Sequence, residues 1–258
     1  MRFLAVFLLI TSLVACSKPS PDTLTIGTIA GPETDLVEVA KEVAQNRYGL
    51  TIKIVEFNDY NLPNEALQDG SLDANIYQHL PYLQSAMQAH GYTLEPIGKT
   101  FVYPTGVYSK KHKTLAEIPK KGVIAIPNDP SNATRALLLL QQSGLIRLKK
   151  GVVVSLAAII KNPKQLTIKE LDAAQLPRIL EDVDAAVINT TFALPAGLSP
   201  AHDAIFVEGK NSPFANLIVI RNDSAKKAQL ANFVKAMHSD EVRAKARALF
   251  GSNAIPAW

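Results

Sequence analysis

Apolar and polar positions alternate from Leu24 to Ile29, the period-two pattern of a strand, and Gly31-Pro32 breaks it. Leu36, Val39, Ala40 and Val43 then recur at helical spacing and predict an amphipathic helix. Past the Gly49 break, Thr51 to Phe57 reads as a second strand. The plan starts again at Val123-Ile124-Ala125-Ile126. There Pro127-Asn128-Asp129-Pro130 supplies the turn, Asp129 suits a helix cap with Pro130 at the first helical position, and Gly144 closes the helix. Strands alternating with helices predict an α/β fold with parallel sheets. Two closing helices, Ala225 to His238 and Asp240 to Phe250, end at Gly251.

A closer echo runs through the chain. Leu62-Pro63, Ala66-Leu67-Gln68-Asp69 and Leu72-Asp73-Ala74 resemble Leu176-Pro177, Ile179-Leu180-Glu181-Asp182 and Val183-Asp184-Ala185. Asp73 and Asp184 stand 111 positions apart, and so do Gly98-Lys99 and Gly209-Lys210. Either two lobes repeat one architecture or convergent α/β patterning produces the match. Two such lobes place a ligand in the cleft between them, near the carboxyl ends of strands. The runs after each Gly-Lys, Phe101 to Tyr108 and Ala215 to Ile220, are the candidate hinge strands joining the lobes.

The amino end reads as a targeting segment. Met1-Arg2 is a short positive region, and the almost wholly apolar Phe3 to Val14 is short for a membrane span. It ends in Leu13-Val14-Ala15-Cys16, which resembles a bacterial lipobox and implies cleavage before Cys16 and acylation there. Cys16 is the chain's single cysteine, which fits an anchor and excludes a disulfide framework or a Cys-rich metal site. Ser17-Lys18-Pro19-Ser20-Pro21 reads as a tether.

Composition narrows the classes further. With 258 residues, 47% of them apolar, the chain can bury a full core and is no disordered tail. Its net charge of +4 is scattered along the sequence, giving nucleic-acid binding no support. His79, His90, His112, His202 and His238 show no metal-ligand spacing, so no metal or other cofactor is expected. No Gly-x-Ser-x-Gly elbow is present. Thr93 to Thr100 comes within one residue of a phosphate loop, but strand-like residues follow where that motif needs a helix. Asp73 and Asp184 read as turn or lobe-packing residues, and no enzyme is indicated.

The polar and aromatic clusters carry more. Phe57-Asn58-Asp59-Tyr60 closes a strand, and Asn75-Ile76-Tyr77-Gln78-His79 follows another, with Pro81-Tyr82 behind it. Tyr77 and His79 share a face if extended, and aromatic faces suit a thioether as well as lobe packing. Arg135 sits early in a helix, where a cation opposes the dipole and calls for an anion. That anion is a ligand carboxylate or a local acid such as Asp129. Asn189 ends the apolar strand Ala185 to Ile188, and Asn216 sits in a strand that disfavours asparagine. Together they describe a zwitterion pocket with an aromatic box.

These residues resemble the NlpA lipoprotein family, and within it the methionine-binding lipoproteins of bacterial ABC importers. The resemblance spans about Leu24 to Trp258. It rests on Phe57-Asn58-Asp59-Tyr60 with Leu62 to Leu67, Asp73-Ala74-Asn75 with Gln78-His79, and Pro127 to Asn132 with Arg135-Ala136-Leu137. Asn162-Pro163-Lys164, Gln175 to Arg178, Ala186 to Thr191 and Ser212-Pro213 with Asn216 complete it. It implies a two-lobed periplasmic-binding-protein fold of the second type, its cleft closing over L- or D-methionine for delivery to a permease and its ATPase. Arg135 would hold the ligand carboxylate, Asn189 and Asn216 its amino and carboxylate groups, and Tyr60, Tyr77 and His79 would wall the side chain. Phe192 and Phe214 look peripheral. The expected organisation is a signal peptide over 1–15, a tether over 16–22, one lobe from 23–105 with 217–258, and the other from 106–216. A monomer anchored to a bacterial membrane, with its body in the periplasm, follows. Rival readings are a receptor for another amino acid or a methionine peptide, a hydrolase or transferase, and a surface adhesion lipoprotein.

Overall fold

The computed structural model describes residues 23–209, 212–251 and 254–258. The expected signal peptide and tether, Cys16 and Lys210 lie outside the described residues. The first run of the chain is β1 (Thr23–Ile29), α1 (Pro32–Tyr48), β2 (Thr51–Phe57), α2 (Leu62–Gln68), β3 (Ala74–His79), α3 (Leu80–His90) and β4 (Leu94–Val102). The second is β5 (Gly106–Tyr108), β6 (Val123–Pro127), α4 (Pro130–Gln142), β7 (Arg147–Leu148), β8 (Ile159–Lys161), β9 (Thr167–Leu171), β10 (Ala185–Ile188), α5 (Thr190–Ala193) and β11 (Ala204–Val207). The chain then returns through β12 (Ala215–Arg221), α6 (Lys227–Met237), α7 (Asp240–Phe250) and β13 (Ile255–Pro256). No helix among the described residues is long and apolar enough to cross a membrane.

Local chemistry accounts for the elements that matter to the site. Helix α1 buries Leu36, Val37, Ala40, Val43 and Ala44, packs on α6 and α7, and ends where Gly49 takes φ 65°. Helix α4 starts as the sequence predicts, with the Asp129 side chain accepting from the Asn132 N–H and Pro130 in the first turn. The nearly phosphate-loop segment is strand β4, consistent with its rejection as a nucleotide site.

Two lobes form on two sheets. The larger sheet runs β13-β4-β12-β3-β1-β2 and the smaller β11-β5-β10-β6-β9. In each, three parallel strands meet an antiparallel one: β2, β1, β3 then β12 in the first, β9, β6, β10 then β5 in the second. The offset of 111 survives as strand register. Asn75 pairs with Val219 and Ile76 with Ile218, while Ala186 pairs with Tyr108 and Val187 with Val107. In each sheet the antiparallel strand is the first one the chain forms after leaving the other sheet. The two aspartates of the echo do the same job: Asp73 Oδ2 accepts from the Thr25 N–H at 2.8 Å, and Asp184 Oδ2 from the Val123 N–H at 2.7 Å. Each fixes the start of a central parallel strand.

The expected hinge strands need correcting. Phe101 to Tyr108 is not one strand, because β4 ends at Val102 and pairing resumes only at Gly106. Pro104, with no N–H to give a ladder, sits in that break. Ala215 to Ile220 lies within β12 of the larger sheet, and Asn216, expected in the second lobe, lies there with it.

Candidate ligand-binding site

The carboxyl ends of the parallel strands meet at one cleft of about 350 Å³. Tyr60 follows β2, Tyr77, Gln78 and His79 end β3, and Tyr82 stands in the first turn of α3. From the other side come Asn132 and Arg135 of α4 and Asn189, Thr190 and Thr191 after β10, with Tyr103 at the crossing and Asn216 on β12. All six residues singled out in the sequence line this cleft.

The aromatic side is a layered wall. Tyr60, Tyr77 and Tyr82 hold ring centroids 5.7 to 5.9 Å apart, and the Tyr82 hydroxyl donates to the Tyr60 carbonyl at 2.7 Å. Burial raises the pKa of all three phenols, so the wall is neutral. Phe192 and Phe214 are not peripheral in packing: one ring lies 4.8 Å from Tyr60 and the other 5.0 Å from His79, each bracing a wall residue from behind.

The polar side is fixed by three carboxylates, Glu33 buried and Asp129 and Glu208 partly buried. His79 Nδ1 accepts from the Tyr82 N–H, capping α3, which leaves its proton on Nε2, 3.3 Å from Asn132 Oδ1. Burial, with the Arg135 charge nearby, depresses the His79 pKa to about 3 and keeps the ring neutral. Asn132 Nδ2 donates to both oxygens of Asp129, at 3.1 and 3.0 Å, so its Oδ1 faces His79 and also accepts from Asn189 Nδ2 at 2.9 Å. That leaves Asn189 Oδ1 as a buried acceptor with no donor among the described residues. Asn216 Nδ2 donates to both oxygens of Glu33, at 3.1 and 3.2 Å, and its Oδ1 makes no hydrogen bond among the described residues.

Arg135 has an anionic partner inside the protein, and it is not Asp129. Its Nε and Nη2 take Glu208 from two sides, Nη2 also donates to the Tyr103 carbonyl at 3.0 Å, and the guanidinium lies 4.4 Å over the Phe214 ring. Asp129 caps α4 and holds Asn132 instead. Nη1 is the guanidinium nitrogen that makes none of these bonds. Among the described residues the cleft thus offers a guanidinium nitrogen and two amide oxygens outside these bonds, beside the unpartnered hydroxyls of Tyr77 and Tyr103, set against an aromatic wall. An α-amino carboxylate with an apolar side chain matches that division.

Sequence reasoning gave no role to Asn132, Tyr103, Thr190, Glu33 or Glu208. Glu33 looks like an ordinary acidic first-turn residue of α1, and only the fold brings Asn216, 183 positions away, to its carboxylate. A smaller cavity of about 230 Å³, lined by Glu33, adjoins the cleft and shares Tyr103, Thr190 and Thr191 with it.

The family model described as NlpA lipoprotein matches residues 24–258. The D-methionine-binding lipoprotein MetQ of Escherichia coli K12 is 48% identical over 264 aligned positions, covering 99% of this chain and 97% of that protein. A solved ABC transporter periplasmic substrate-binding protein from Coxiella burnetii is 55% identical, with a TM-score of 0.88 over 91% of this chain and 100% of that one. A nutrient-binding protein from Burkholderia cenocepacia, solved bound to methionine, is 47% identical, with a TM-score of 0.89 over 91% and 100%. The chain belongs to the NlpA lipoprotein family.

Proposed function

We propose that this protein is the substrate-binding lipoprotein of an ABC importer, taking methionine between its lobes and handing it to a membrane permease driven by an ATPase. The observation that carries the reading is the polarity of the cleft. Arg135 Nη1 faces the carboxylate, Asn189 Oδ1 and Asn216 Oδ1 accept from the ammonium, and Tyr60, Tyr77, Tyr82 and His79 enclose the thioether. The chain passes between the lobes after β4 and again after β11, and closure follows when one ligand engages both sides. The protein works as a monomer without chemical change to its ligand. Cys16 carries the lipid that holds it at the membrane, with the body in the periplasm.

The test is thermal unfolding of the chain from Ser17, which retains every described element, after unfolding and refolding to strip carried-over ligand. The proteinogenic L-amino acids, D-methionine and methionine dipeptides are screened. A ligand bound only by the folded state raises the midpoint by mass action. A clear rise with methionine supports the reading; a flat response across the panel, or a rise with an unrelated amino acid alone, overturns the methionine assignment.

A further inference from the structure

From Pro130 to Lys169 the chain carries seven basic residues and no acidic one. Two of them are spent: Arg135 in the cleft, and Lys164, whose Nζ donates to the carbonyls of Leu115, Ala116 and Ile118. Arg147, Lys149, Lys150, Lys161 and Lys169 are exposed and make no ion pair among the described residues. Four of these five lie on one feature, the hairpin of β7 and β8, a two-stranded sheet separate from both lobe sheets.

The hairpin is anchored underneath and apolar at its tip. Leu148, Leu156 and Ile159 pack into the core beside α4, Lys149 N–H donates to the Ala158 carbonyl at 2.8 Å, and Thr134 Oγ1 donates to the Val154 carbonyl at 3.1 Å. Val153, in contrast, is 88% exposed, Val152 42% and Ile160 54%. None of these three belongs to the core cluster that holds Leu148, and they stand among the lysines.

We propose that this basic, valine-tipped hairpin docks on an anionic lipid bilayer. A negative membrane surface attracts each nearby lysine or arginine with about a fivefold gain in binding. Lysine stems lie along apolar surface while their ammonium groups reach the headgroups, which leaves the valines free to enter the interface. An acidic protein partner fits less well: the hairpin holds no aromatic residue from Arg147 to Lys161, and aromatic anchors are what protein interfaces concentrate. The proposal does not depend on the ligand in the cleft.

Vesicle flotation tests it, using the unacylated chain from Ser17 so that no lipid anchor contributes. Vesicles are pure phosphatidylcholine, an equimolar mixture of phosphatidylcholine and phosphatidylglycerol, and lipid extracted from bacterial membranes, beside those membranes themselves. The protein is expected to float with the phosphatidylglycerol vesicles, to stay behind with pure phosphatidylcholine, and to dissociate as salt rises. The double substitution Lys149→Glu with Lys150→Glu is expected to weaken flotation at least about twentyfold. Val153→Ser, which leaves the charge alone, is expected to weaken it up to about tenfold. Unchanged thermal midpoints verify that both variants fold. Absence of flotation with anionic vesicles, or flotation indifferent to both variants, overturns the proposal. So does binding to whole membranes without binding to their extracted lipid, which assigns the surface to a protein.

Discussion

Asn216 donates from Nδ2 to both carboxylate oxygens of Glu33, a residue 183 positions earlier, at 3.1 and 3.2 Å. The contact joins the first turn of α1 to the strand that re-enters the larger sheet after the second crossing. Both side chains are buried, and Glu33 makes no ion pair among the described residues. Its carboxyl is pushed up to about 7 by burial, which the bonds from Asn216 only partly offset. In the proposed binding mode the consequence is geometric: with Nδ2 committed to Glu33, Oδ1 is the end of the amide left for ligand. The same device recurs at Asn189, whose Nδ2 is committed to Asn132. Two neutral amides are thereby converted into acceptors, each by a donor bond made behind it.

Removal of the Asn189 amide tests that view. Its Oδ1 has no partner to lose, so Asn189→Ala forfeits only the bond to Asn132 before ligand binds, about 1 kcal/mol of stability. Binding of methionine is expected to suffer more, by about 1.5–3 kcal/mol, the range for a hydrogen bond to a charged group. Calorimetric titration beside ligand-free denaturant unfolding separates the two. A variant that loses stability yet binds normally excludes Asn189 from the ammonium site.

Arg135 is tied into the scaffold as well as into the site. Arg135→Ala leaves Glu208 buried without its cation, and breaking such a pair costs about 3–5 kcal/mol. Ligand-free denaturant midpoints are therefore expected to fall in this variant. Glu208→Ala and the double variant complete the cycle, and the double is expected to be less damaged than the two single losses added together. Additive losses would mean that the pair is not coupled, and that Arg135 serves ligand alone.

How much of this was legible in the sequence varies with the length scale of each signal. The duplicated plan was readable because Asp73 and Asp184 do the same local work at the start of a central strand. The echo even carried the register, with Asn75–Val219 answering Ala186–Tyr108. The break at Tyr103-Pro104-Thr105 is masked by the residues flanking it, since the last three residues of β4 and all of β5 are buried. The partners of Arg135 and Asn216 left no local trace. Glu208 belongs to the second crossing and Glu33 to a helix start, and neither position is near its partner until the lobes are built. Local pattern named the groups facing the ligand; the groups behind them come from tertiary approach alone.

The crossing also sets a steric limit that the echo does not reveal. Gly106 is the first residue of β5, and a Cβ added there would stand 2.8 Å from Tyr108 Cε2 and 2.9 Å from Cζ. Tyr108 is fully buried, so its ring must shift within the core to make room. Leu217 occupies the corresponding place on β12, so the sequence repeat alone would permit a side chain here. Gly106→Ala is expected to cost about 1–3 kcal/mol by overpacking. An unchanged unfolding midpoint would show that the ring yields.

Two buried groups of the site titrate in opposing senses, and their balance is measurable. Glu33 ionises near 4.5 when unfolded and about 7 when folded. Between those values the native state holds the extra proton, so its contribution to stability is full below about pH 4.5 and falls as pH rises to about 7. His79 goes the other way, from 6.5 unfolded to about 3 folded. There the unfolded state holds the extra proton, and stability rises with pH from about 3 to 6.5. Where the windows overlap, between 4.5 and 6.5, the two slopes largely cancel. Glu33→Gln is expected to expose the histidine slope, so that stability relative to the parent climbs as pH rises through the overlap and levels off above 7. His79→Gln is expected to expose the opposite slope, with relative stability greatest at the acid end. Each difference reaches at most about 3 kcal/mol, since a unit of pKa is worth about 1.4 kcal/mol and relaxation around the charge reduces it. Denaturant unfolding of the three ligand-free proteins across pH 4.5–8 reads both slopes. Parallel pH profiles for the parent and Glu33→Gln would show that the carboxyl titrates alike folded and unfolded, and so that it is not held in the buried pairing with Asn216.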